Sequence, residues 1–578
     1  MKIVCLVKQV PRADSIQFDP ETKALRREGV PLLLNPFDAA AVAEAAALKE
    51  RVGGELIAMT MGPPQAEEAL KACLALGADR CIHLSDRAFA LADTIGTSRT
   101  LALAIAKERG TDLVICGRKT TDSETWQVPP ETAAFLDWPH LTSIVEMEID
   151  GSQIRATRET DHAYETYELE APAVLSLAHA RDADQTKDGT IDLWTGADLV
   201  DDLGENDKRF GQAGSPTRVL TVRDVTPQRA GDVVESVERA VEKIRALLPE
   251  RRVPPSAWDK PERLGEKPGK SYDCWTFVEN VDGRVARASL ELLGKGRELS
   301  GKLGGENVAV LLGNDVESAA REAARHGAER VVIVEDAKLN RYHSEVWSRA
   351  LRVVVEQTRP HVLLFPATAI GRDLGPRIAG ELELGMTGDC VGLGIDRAGR
   401  LVQTKPAYGG NIVSIIMGRT TPQLATVRPR MFEPLEPRDV EPRVERIGIG
   451  ALPDPSALLV ERREAIAWDL DEADVVVCVG PEAGDLPDLP DRVAVGGTRE
   501  VCEAGLLPRN RQLGLFGRPV APLLLVTVGV PGDFEQLSGF VKAGVVVSVN
   551  GGSAMEEAAD LAVRGDPTEL VPLLVRER

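Results

Sequence analysis

The sequence contains few residues of the kinds that hold metal ions. Eight cysteines are spread over 578 residues without a Cys-x-x-Cys pair, and the seven histidines show neither His-Glu-x-x-His nor His-x-His spacing. Zinc and iron–sulfur sites need such paired or clustered ligands. Several cysteines instead lie inside apolar strand-like runs such as "KIVCLV" and "VVVCVG". We therefore expect no metal site and no disulfide, but buried thiols in a reducing compartment.

The sequence also lacks a long apolar run. No stretch reaches the roughly 18 apolar residues that suggest a membrane-spanning helix. The first residues, "MKIVCLVKQV", are followed by Pro11 and have no signal-peptide core, so they are typical of a strand. We expect a cytoplasmic protein without membrane insertion.

Positive charge is in deficit. Lys and Arg number 69 against 90 Asp and Glu, which gives a net charge of −21. An acidic surface repels phosphate backbones and anionic lipid, so nucleic acid is not expected as a partner. The same surface favours solubility and is compatible with docking of a basic protein.

What is present is an alternation of strand and helix patterns. The run "KIVCLV" is followed by "DAAAVAEAAALKERV", "ELIAMTM", "PQAEEALKACLALG" and "RCIHLS". Strands that alternate with amphipathic helices predict parallel sheets built from βαβ units, with ligands at the carboxyl ends of the strands. The chain is longer than the roughly 250–300 residues at which a single core stops growing, so several domains are expected.

The alternation occurs twice. The motif "GADR" at residues 77–80 recurs as "GAER" at 327–330, and Pro172 recurs as Pro422, each 250 positions later. The segment "TDLVICGRKTTD" is similar to "RPHVLLFPATAIGRD" at a comparable offset. A period of this length indicates duplicated domains and not a solenoid.

These patterns predict an α/β protein with two tandem homologous parallel-sheet nucleotide-binding domains and a C-terminal doubly wound domain. The predicted divisions are a first unit with a C-terminal arm at 1–250, a Pro-rich linker at 251–271, a second unit at 272–440 and a third at 450–578. Residues 188–220 carry the pattern of loops and short turns.

Motifs throughout the chain resemble electron transfer flavoproteins, with β-subunit motifs first and α-subunit motifs second. The β-like motifs are "KQVP" (Lys8–Pro11), "NPFD" (Asn35–Asp38), "SDRAFALADT" (Ser85–Thr94), "TDSETWQVPPE" (Thr121–Glu131) and "GSPTRV" (Gly214–Val219). The α-like motifs include "GRDLGPRIA" (Gly371–Ala379), "TGDC" (Thr387–Cys390), "KPAYGGN" (Lys405–Asn411), "ATVRP" (Ala425–Pro429) and "VGGTREVCEAG" (Val495–Gly505). The resemblance implies a pseudo-symmetric body of the two duplicated domains that carries a mobile flavin-type domain.

The resemblance also implies a nucleotide, AMP or a FAD, on the polar loop after "DLVICG". The implied binding residues of this half are Asn35, Asp93, Thr94, Asp122, Ser123, Thr125, Gln127 and Val128. Their carboxylate, hydroxyl and amide groups suit ribose, phosphate and adenine, and the helix that follows offers free N–H groups to a phosphate. The motif "TWQVPPE" is closer to that of family members that bind a flavin in this half than to that of members that bind AMP. Taken alone, the same residues are typical of a helix cap.

In the second half, the cofactor-binding residues that the resemblance implies are Arg372, Arg428, Arg499, Gln536, Asn550 and Asp560. Arg372 and Arg428 would face the flavin domain, where a guanidinium favours the anionic reduced flavin. Taken alone, Arg372 and Arg377 of "GRDLGPRIA" are typical of a helix cap or an inter-domain ion pair. Arg499, Asn550 and Asp560 match flavin-site positions of the family, whereas Gln536 replaces a histidine.

Other hallmarks of the C-terminal flavin site are altered. The chain has "VGPEAG" (Val479–Gly484), "QLGLFG" (Gln512–Gly517) and "PGDFEQ" (Pro531–Gln536) in place of the family's arginine-, hydroxyl- and serine-containing motifs. Pro531 has no N–H for a phosphate, and Asp533 adds negative charge there. We therefore predict that FAD binds in the N-terminal half more than in the C-terminal half, with AMP as an alternative to one FAD.

The resemblance implies a flavin-containing electron carrier between flavin dehydrogenases and a quinone reductase or similar acceptor. Two alternatives stay open: an electron-bifurcating flavoprotein that takes hydride from NADH, and a non-redox adenine-nucleotide-binding protein. An electron-transfer role is favoured over that of a substrate-specific enzyme.

Overall fold

The computed structural model describes residues 1–15, 17–18, 25–26, 29–225, 227–250, 252–264, 272–281, 283–410, 412–464 and 469–577. Within them the chain forms three α/β domains, each around its own mainly parallel sheet, plus an antiparallel sheet that joins the first two. The α/β fold class with tandem domains and a third doubly wound domain is confirmed.

The first domain is built on a ten-stranded sheet. Its strands, from edge to edge, are Ile191–Trp194, Arg80–Leu84, Glu55–Met61, Lys2–Leu6, Leu113–Gly117, Ala173–Leu177, His140–Asp150, Gln153–Glu159, Ala163–Glu170 and Leu458–Glu464. The first seven are parallel and the remaining pairs antiparallel. Its helices are Pro36–Val52, Glu67–Ala75, Thr94–Glu108, Val128–Leu136 and Gly196–Leu199. The central strands are apolar and buried on both faces, as expected for a sheet covered by helices.

The second domain repeats this plan. Its seven parallel strands, in order, are Met386–Cys390, Gln423–Val427, Val362–Pro366, Cys274–Phe277, Asn307–Gly313, Arg330–Glu335 and Val444–Arg446. Its helices are Arg287–Leu303, Glu317–Arg325, Ser344–Thr358 and Gly371–Leu382. Gly77 and Gly327, the repeated glycines, have φ values of +114° and +109°. Glycine is retained at both because other residues rarely adopt this backbone conformation.

The first two domains exchange strands. Thr217–Asp224, which follows the first domain, pairs with Ile412–Gly418 in a four-stranded antiparallel sheet with Leu401–Ala407 and Gly392–Ile395. In return Leu458–Glu464, which follows the second domain, pairs with Ala163–Glu170. The loop pattern predicted for residues 188–220 therefore misses one edge strand and the start of an exchanged strand. Local periodicity does not show a strand whose partner lies so far along the chain.

The third domain has six parallel strands. They are, in order, Asp232–Val234, Leu561–Val563, Val545–Val549, Leu524–Val528, Val475–Val479 and Val493–Gly497. Its helices are short: Asp469–Glu472, Arg499–Glu503, Phe534–Leu537, Ser553–Glu557 and Pro567–Leu574. The edge strand Asp232–Val234 and the helix Val237–Glu250 come from the N-terminal half, and Ala240 and Ile244 of that helix lie in the core of this domain. We call residues 227–250 the arm.

The interval 251–271, predicted to be a linker, contacts the second domain over its described part. Ser256 Oγ donates to the carbonyl of Glu433 (2.5 Å) and Trp258 Nε1 donates to that of Glu436 (2.8 Å). The Trp258 ring also lies 4.6 Å from the guanidinium of Arg438. Residues 265–271 of the predicted linker lie outside the described residues.

Cleavage of this interval tests how the halves are held together. With a protease site introduced between Leu264 and Tyr272, we expect the two halves to stay associated after cleavage, because the exchanged strands and the arm still cross between them. Size-exclusion chromatography at low micromolar concentration measures this. Two separate peaks after cleavage, with the uncleaved chain as control, would contradict the shared body.

Candidate functional site

The polar loop that follows the central strand Leu113–Gly117 is fixed by its own side chains. Asp122 accepts from Lys8 Nζ (2.6 Å), Thr120 Oγ1 (2.6 Å) and the N–H of Ser123 (2.7 Å). The hydroxyl of Ser123 lies 2.9 Å from that of Thr120. The predicted residues Asp122 and Ser123 are therefore engaged in shaping the loop.

The buried Asn35 and the segment at Asp93 also hold backbone. Asn35 Nδ2 donates to the carbonyl of Lys119 (3.0 Å), and its Oδ1 accepts from the N–H of Thr121 (3.3 Å). Asp93 caps the helix Thr94–Glu108 through the N–H of Gly96 (3.0 Å). Its other carboxylate oxygen accepts from Thr217 at the start of the exchanged strand (2.8 Å to N–H, 2.7 Å to the hydroxyl).

Glu131 accepts hydrogen bonds from several side chains near the loop. It accepts from Thr94 Oγ1, Ser98 Oγ and Gln127 Nε2, each at 3.0 Å. Burial raises the pKa of Glu131 well above its ordinary value. Gln127 also donates to the carbonyl of Met386 in the second domain (3.2 Å), so this cluster ties the helix Val128–Leu136 to both domains.

The groups left free on this loop are backbone N–H groups. Trp126 has a left-handed φ of +63°, and Gln127 follows with φ −91° and ψ −35°. Within the described part of the chain, the N–H groups of residues 125–128 have no acceptor. Successive residues of left- and right-handed conformation turn their N–H groups toward one point, a nest that binds anions. We call residues 126–128 the nest; it includes the predicted Gln127 and Val128, and the half-buried Thr125 precedes it.

A buried ion network lies beside the nest and joins the two halves. Arg372 holds Asp389 through two nitrogens (2.9 and 3.0 Å), and Arg428 Nε reaches the same carboxylate (3.2 Å). Arg428 also contacts Glu124 (3.4 Å), which pairs with Lys119 (3.0 Å). Arg372 pairs with a carboxylate of its own domain, whereas the contact of Arg428 with Glu124 crosses to the first domain. Arg377, the other arginine considered for an inter-domain pair, donates to the carbonyl of Trp138 in the first domain (3.0 Å).

The neighbouring cations lower the pKa values of both carboxylates of this network. Burial alone would raise the pKa of Asp389, but the charges of Arg372 and Arg428 lower it well below its ordinary value. Burial likewise opposes the charges of Lys119 and Arg428 at Glu124, and the pKa is again lowered. Burial lowers the pKa of the nearby Lys405, whose Nζ donates to the carbonyls of Glu124 and Gly388, to about 8.

Sequence reasoning missed three members of this region: Lys119, Glu124 and Lys405. Lys119 and Glu124 stand in the same loop as the predicted residues, and their opposite charges five positions apart were the available signal. The role of Trp126, whose ring is 4.5 Å from the guanidinium of Arg372, was also missed.

A cleft separates this region from the third domain. Cations from all three domains line it, together with the carboxylates of Glu159, Asp161 and Asp471, the ring of Trp126 and apolar residues of the third domain. They include Arg118, Arg372, Arg428, Arg518, Lys542, Pro519, Val520 and Val541. Arg118 Nη2 donates to the carbonyl of Phe516 (3.2 Å), and its buried Nε has no acceptor within the described residues.

The equivalent helix start in the second domain is occupied by the protein itself. The helix Gly371–Leu382 follows the strand Val362–Pro366, as Val128–Leu136 follows Leu113–Gly117. Here the N–H of Ala369 donates to the carboxylate of Asp161 from the first domain (2.6 Å). A protein carboxylate thus stands at the place where the first domain leaves its donors free.

The third domain is also occupied at its corresponding helix start. Gln536 Oε1 accepts from the N–H groups of Gly532 (2.7 Å) and Asp533 (3.1 Å), and Pro531 has no N–H. The helix that begins there, Phe534–Leu537, has only one turn. Gln536 therefore uses the donors that a phosphate would need.

The remaining predicted residues of the third domain have structural partners. Asn550 exchanges hydrogen bonds with the backbone of Gly565 (2.7 and 3.0 Å), and Asp560 accepts from Arg229 of the arm and from the N–H of Val546. The guanidinium of Arg499 lies 5.2 Å from the ring of Phe516. The structure does not bring these three residues together with the nest.

Comparison with known proteins decides the family. The electron transfer flavoprotein domain matches residues 22–198 and again residues 274–448, and the electron transfer flavoprotein FAD-binding domain matches residues 469–541. The chain belongs to the electron transfer flavoprotein family. It carries β-like and α-like halves in one polypeptide, and FAD is the cofactor that these matches support.

Individual relatives agree with the electron transfer flavoprotein assignment. The chain is 34% identical over 321 residues to the electron transfer flavoprotein subunit alpha of Clostridium acetobutylicum (52% of this chain, 96% of that protein). It is 37% identical over 257 residues to the subunit beta of Thermoanaerobacterium thermosaccharolyticum (43% and 98%). It is also 30% identical over 347 residues to a protein named acryloyl-CoA reductase electron transfer subunit beta of Anaerotignum propionicum (52% and 94%).

Three further features of the chain concern its cysteines, membrane-spanning helices and metal ligands. All eight cysteines are free thiols; seven are buried and Cys502 is half-buried. In the described ranges no helix is both long and apolar enough to cross a membrane. The same ranges hold no group of three His, Cys, Asp or Glu side chains placed to bind a metal ion.

Proposed function

We propose that this electron transfer flavoprotein carries a single FAD, held by the N-terminal half, and passes electrons from flavin dehydrogenases to a quinone reductase or similar acceptor. The observation that carries this proposal is the contrast between three corresponding helix starts. Asp161 occupies the one in the second domain and Gln536 the one in the third. The nest at 126–128 keeps its donors free, and free N–H groups at a helix start bind phosphate.

Charge in the network beside the nest supports the same site. Lys119, Arg372, Lys405 and Arg428 face Glu124 and Asp389, and the charges of Asp161 and Asp471 also act on Arg372. A pyrophosphate at the nest would lie beside these cations.

The residues of the N-terminal half therefore fit FAD better than those of the third domain. When bound, FAD supplies reversible one- and two-electron chemistry. The nest would hold its phosphates, and Arg372 would favour the reduced anionic form by its fixed positive charge. Asp389 fixes that charge by holding Arg372 through two hydrogen bonds.

The number of flavins bears on the alternatives. Bifurcation of electrons from NADH, in the form the family uses, needs two flavins. With one FAD we favour a simple carrier. The partners proposed are flavin dehydrogenases and a quinone reductase-type acceptor, and the relative named as an electron transfer subunit of acryloyl-CoA reductase gives this kind of partner general support.

Release and counting of cofactors from the purified full chain tests the proposal. We expect about one FAD per chain, no AMP, and the same count in an Arg499→Ala variant, because Arg499 contacts Phe516 and Glu503 and has no described contact with residues 126–128. The full chain is needed because the arm supplies a strand and a helix to the third domain. Two FAD per chain, or one FAD together with one AMP, would contradict the single N-terminal site; a colourless protein would favour the non-redox alternative.

A further inference from the structure

We infer that residues 512–518 of the third domain form a latch that holds this domain against the first domain through two side chains, Phe516 and Arg518. We call these residues the latch loop. The inference goes beyond the proposed function and does not depend on where FAD binds, because it rests only on contacts between domains. Both side chains reach across the domain boundary to residues of the first domain.

The latch loop is a compact part of the third domain. The N–H of Arg518 donates to the carbonyl of Gln512 (2.8 Å), and the N–H of Gly514 donates to that of Arg518 (3.2 Å). Gly514 has a φ of +111°, and a Cβ there would lie 2.7 Å from the carbonyl oxygen of Glu535, so glycine is needed for this turn. Leu515 is buried, and its N–H donates to the same carbonyl (2.8 Å). The loop is therefore fixed to its own domain and can move only with it.

Phe516 is the apolar half of the latch. Its ring centroid lies 5.7 Å from that of Phe37, a fully buried residue of the first domain, with an angle of 64° between the rings. Edge-to-face pairs of this kind are favourable beyond the area they bury. Arg118 of the first domain donates to the Phe516 carbonyl (3.2 Å), and Arg499 of the third domain lies 5.2 Å from the Phe516 ring. Separation of the two domains would expose this ring to water, which is unfavourable.

Arg518 is the charged half of the latch. Its Nη2 lies 3.4 Å from Glu159 Oε1 and donates to the carbonyl of Thr160 (3.4 Å), and its Nη1 lies 3.8 Å from Asp161 Oδ1. These three residues belong to the first domain, whereas Asp471, the closest carboxylate at 2.8 Å, belongs to the third. If the third domain moved away, Asp471 would go with Arg518, and Glu159 and Asp161 would lose this counter-charge. All the charged groups are largely buried, so such a loss is costly.

Other cations at the boundary share the same carboxylates. The charge of Arg518 opposes that of Arg118, and the charge of Glu159 acts on both guanidiniums. Asp161 likewise acts on Arg372 of the second domain. The two first-domain carboxylates therefore offset repulsion among cations that meet only while the third domain lies against the first.

The third domain has further attachments, mainly to the second domain and the arm. Arg430 of the second domain pairs with Asp474 (2.6 Å), and the arm supplies an edge strand to the third-domain sheet. Arg499 also approaches Asp182 of the first domain (3.5 Å), but this carboxylate is 67% exposed, and exposed ion pairs contribute little. Loss of the latch should therefore let the third domain turn away from the first while it stays attached to the second.

Distance measurement by pulsed electron paramagnetic resonance on the full chain, as purified, tests the latch. Spin labels are attached at Glu44→Cys in the helix Pro36–Val52 and at Glu569→Cys in the helix Pro567–Leu574, two exposed positions on the first and third domains. The half-buried Cys502 is replaced by serine, and the other seven native cysteines are buried. We expect a single narrow distance distribution for this parent chain.

The test variant combines Phe516→Ser with Arg518→Gln, and we expect it to lose the single narrow distance in favour of a broad distribution. The matched control combines Leu506→Ser with Arg564→Gln, which makes the same chemical changes elsewhere in the third domain. Leu506 is 74% exposed, and Arg564 pairs with Glu556 of its own domain. The control should keep the narrow distribution.

An unchanged narrow distribution in the test variant overturns the latch. A broad distribution in the parent chain, or equal broadening in the control, also overturns it, because the loop would then not be what holds the domain. If the test variant does not fold, Glu159→Gln is measured in its place: it weakens the contact from the first-domain side and must broaden the distribution, and a narrow one overturns the latch. FAD counted in the same samples tests the proposed function separately.

Discussion

Replacement of Thr125 by aspartate is expected to weaken FAD binding to the full chain by at least about tenfold, or about 1.4 kcal/mol. The new carboxylate would stand next to the nest and accept its N–H groups, as Asp161 accepts the N–H of Ala369 in the second domain. It would also repel the pyrophosphate directly. Titration of the cofactor-free chain with FAD, followed by flavin fluorescence or calorimetry, measures the affinity.

The matched control is Thr125→Asn, which has nearly the same shape as aspartate without its charge. A carboxylate near a helix start stabilises the helix, so Thr125→Asp should not unfold the domain. Equal FAD affinities for the aspartate and asparagine variants would show that no phosphate lies at the nest.

Replacement of Asp373 by alanine is expected to destabilise the two-domain body by about 3–5 kcal/mol, because it removes the counter-charge of a buried arginine. Asp373 lies in the second domain and is fully buried. It accepts from three residues of the first domain: His140 (2.7 Å), Thr142 (3.1 Å) and Arg158 (3.1 Å). Arg158 is 1% exposed, so water cannot replace the lost carboxylate. The change in the denaturant concentration at which the two-domain body is half unfolded measures the effect.

The control for Asp373 is Glu383, an exposed carboxylate that pairs with the half-buried Arg99 across the same two domains (2.7 Å). Glu383→Ala should change the stability by less than about 1 kcal/mol, as exposed ion pairs do. A similar small change for Asp373→Ala would show that the buried network adds little to the association of the domains.

Asp373 also predicts how the stability of the folded chain changes with pH under acidic conditions. Burial would raise the pKa of Asp373, but the charges of His140 and Arg158 lower it well below its ordinary value. A carboxylate with a lowered pKa in the folded state adds stability that is full above its unfolded value of about 3.9 and is lost as the pH falls below it. The wild-type chain should therefore lose more stability than Asp373→Ala between pH 4 and lower pH.

The sequence-based prediction succeeded where a local pattern determines the structure. The strand Glu55–Met61 coincides with the predicted run "ELIAMTM", since an apolar run between turn residues is a local signal. The strand Thr217–Asp224 was missed because it is half exposed and its partner, Ile412–Gly418, lies in the other half. Pairing of this kind depends on the whole fold and leaves little trace in the segment itself.

The candidate site shows the same limit. The family resemblance implies Asp122, Ser123 and Gln127 as ligands, and in the structure their side chains bond to the protein. Free N–H groups at the start of the following helix were expected from the sequence, but the left-handed φ of Trp126, which turns these groups toward one point, is not visible in residue types. In contrast, Gln536 was noted as an altered position from sequence, but only the structure shows that its side chain covers two amides.

The exchanged strands impose an order on biosynthesis. The strand Ala163–Glu170 leaves the ribosome long before its neighbour Leu458–Glu464, with roughly 290 residues between them, or about 15–60 s of translation at typical rates. Throughout that interval the nascent first domain presents an unpaired sheet edge, the kind of surface through which chains aggregate. Fusion of the halves limits this hazard, because the strand that closes the edge arrives on the same ribosome and cannot be outnumbered by unpaired copies of its partner.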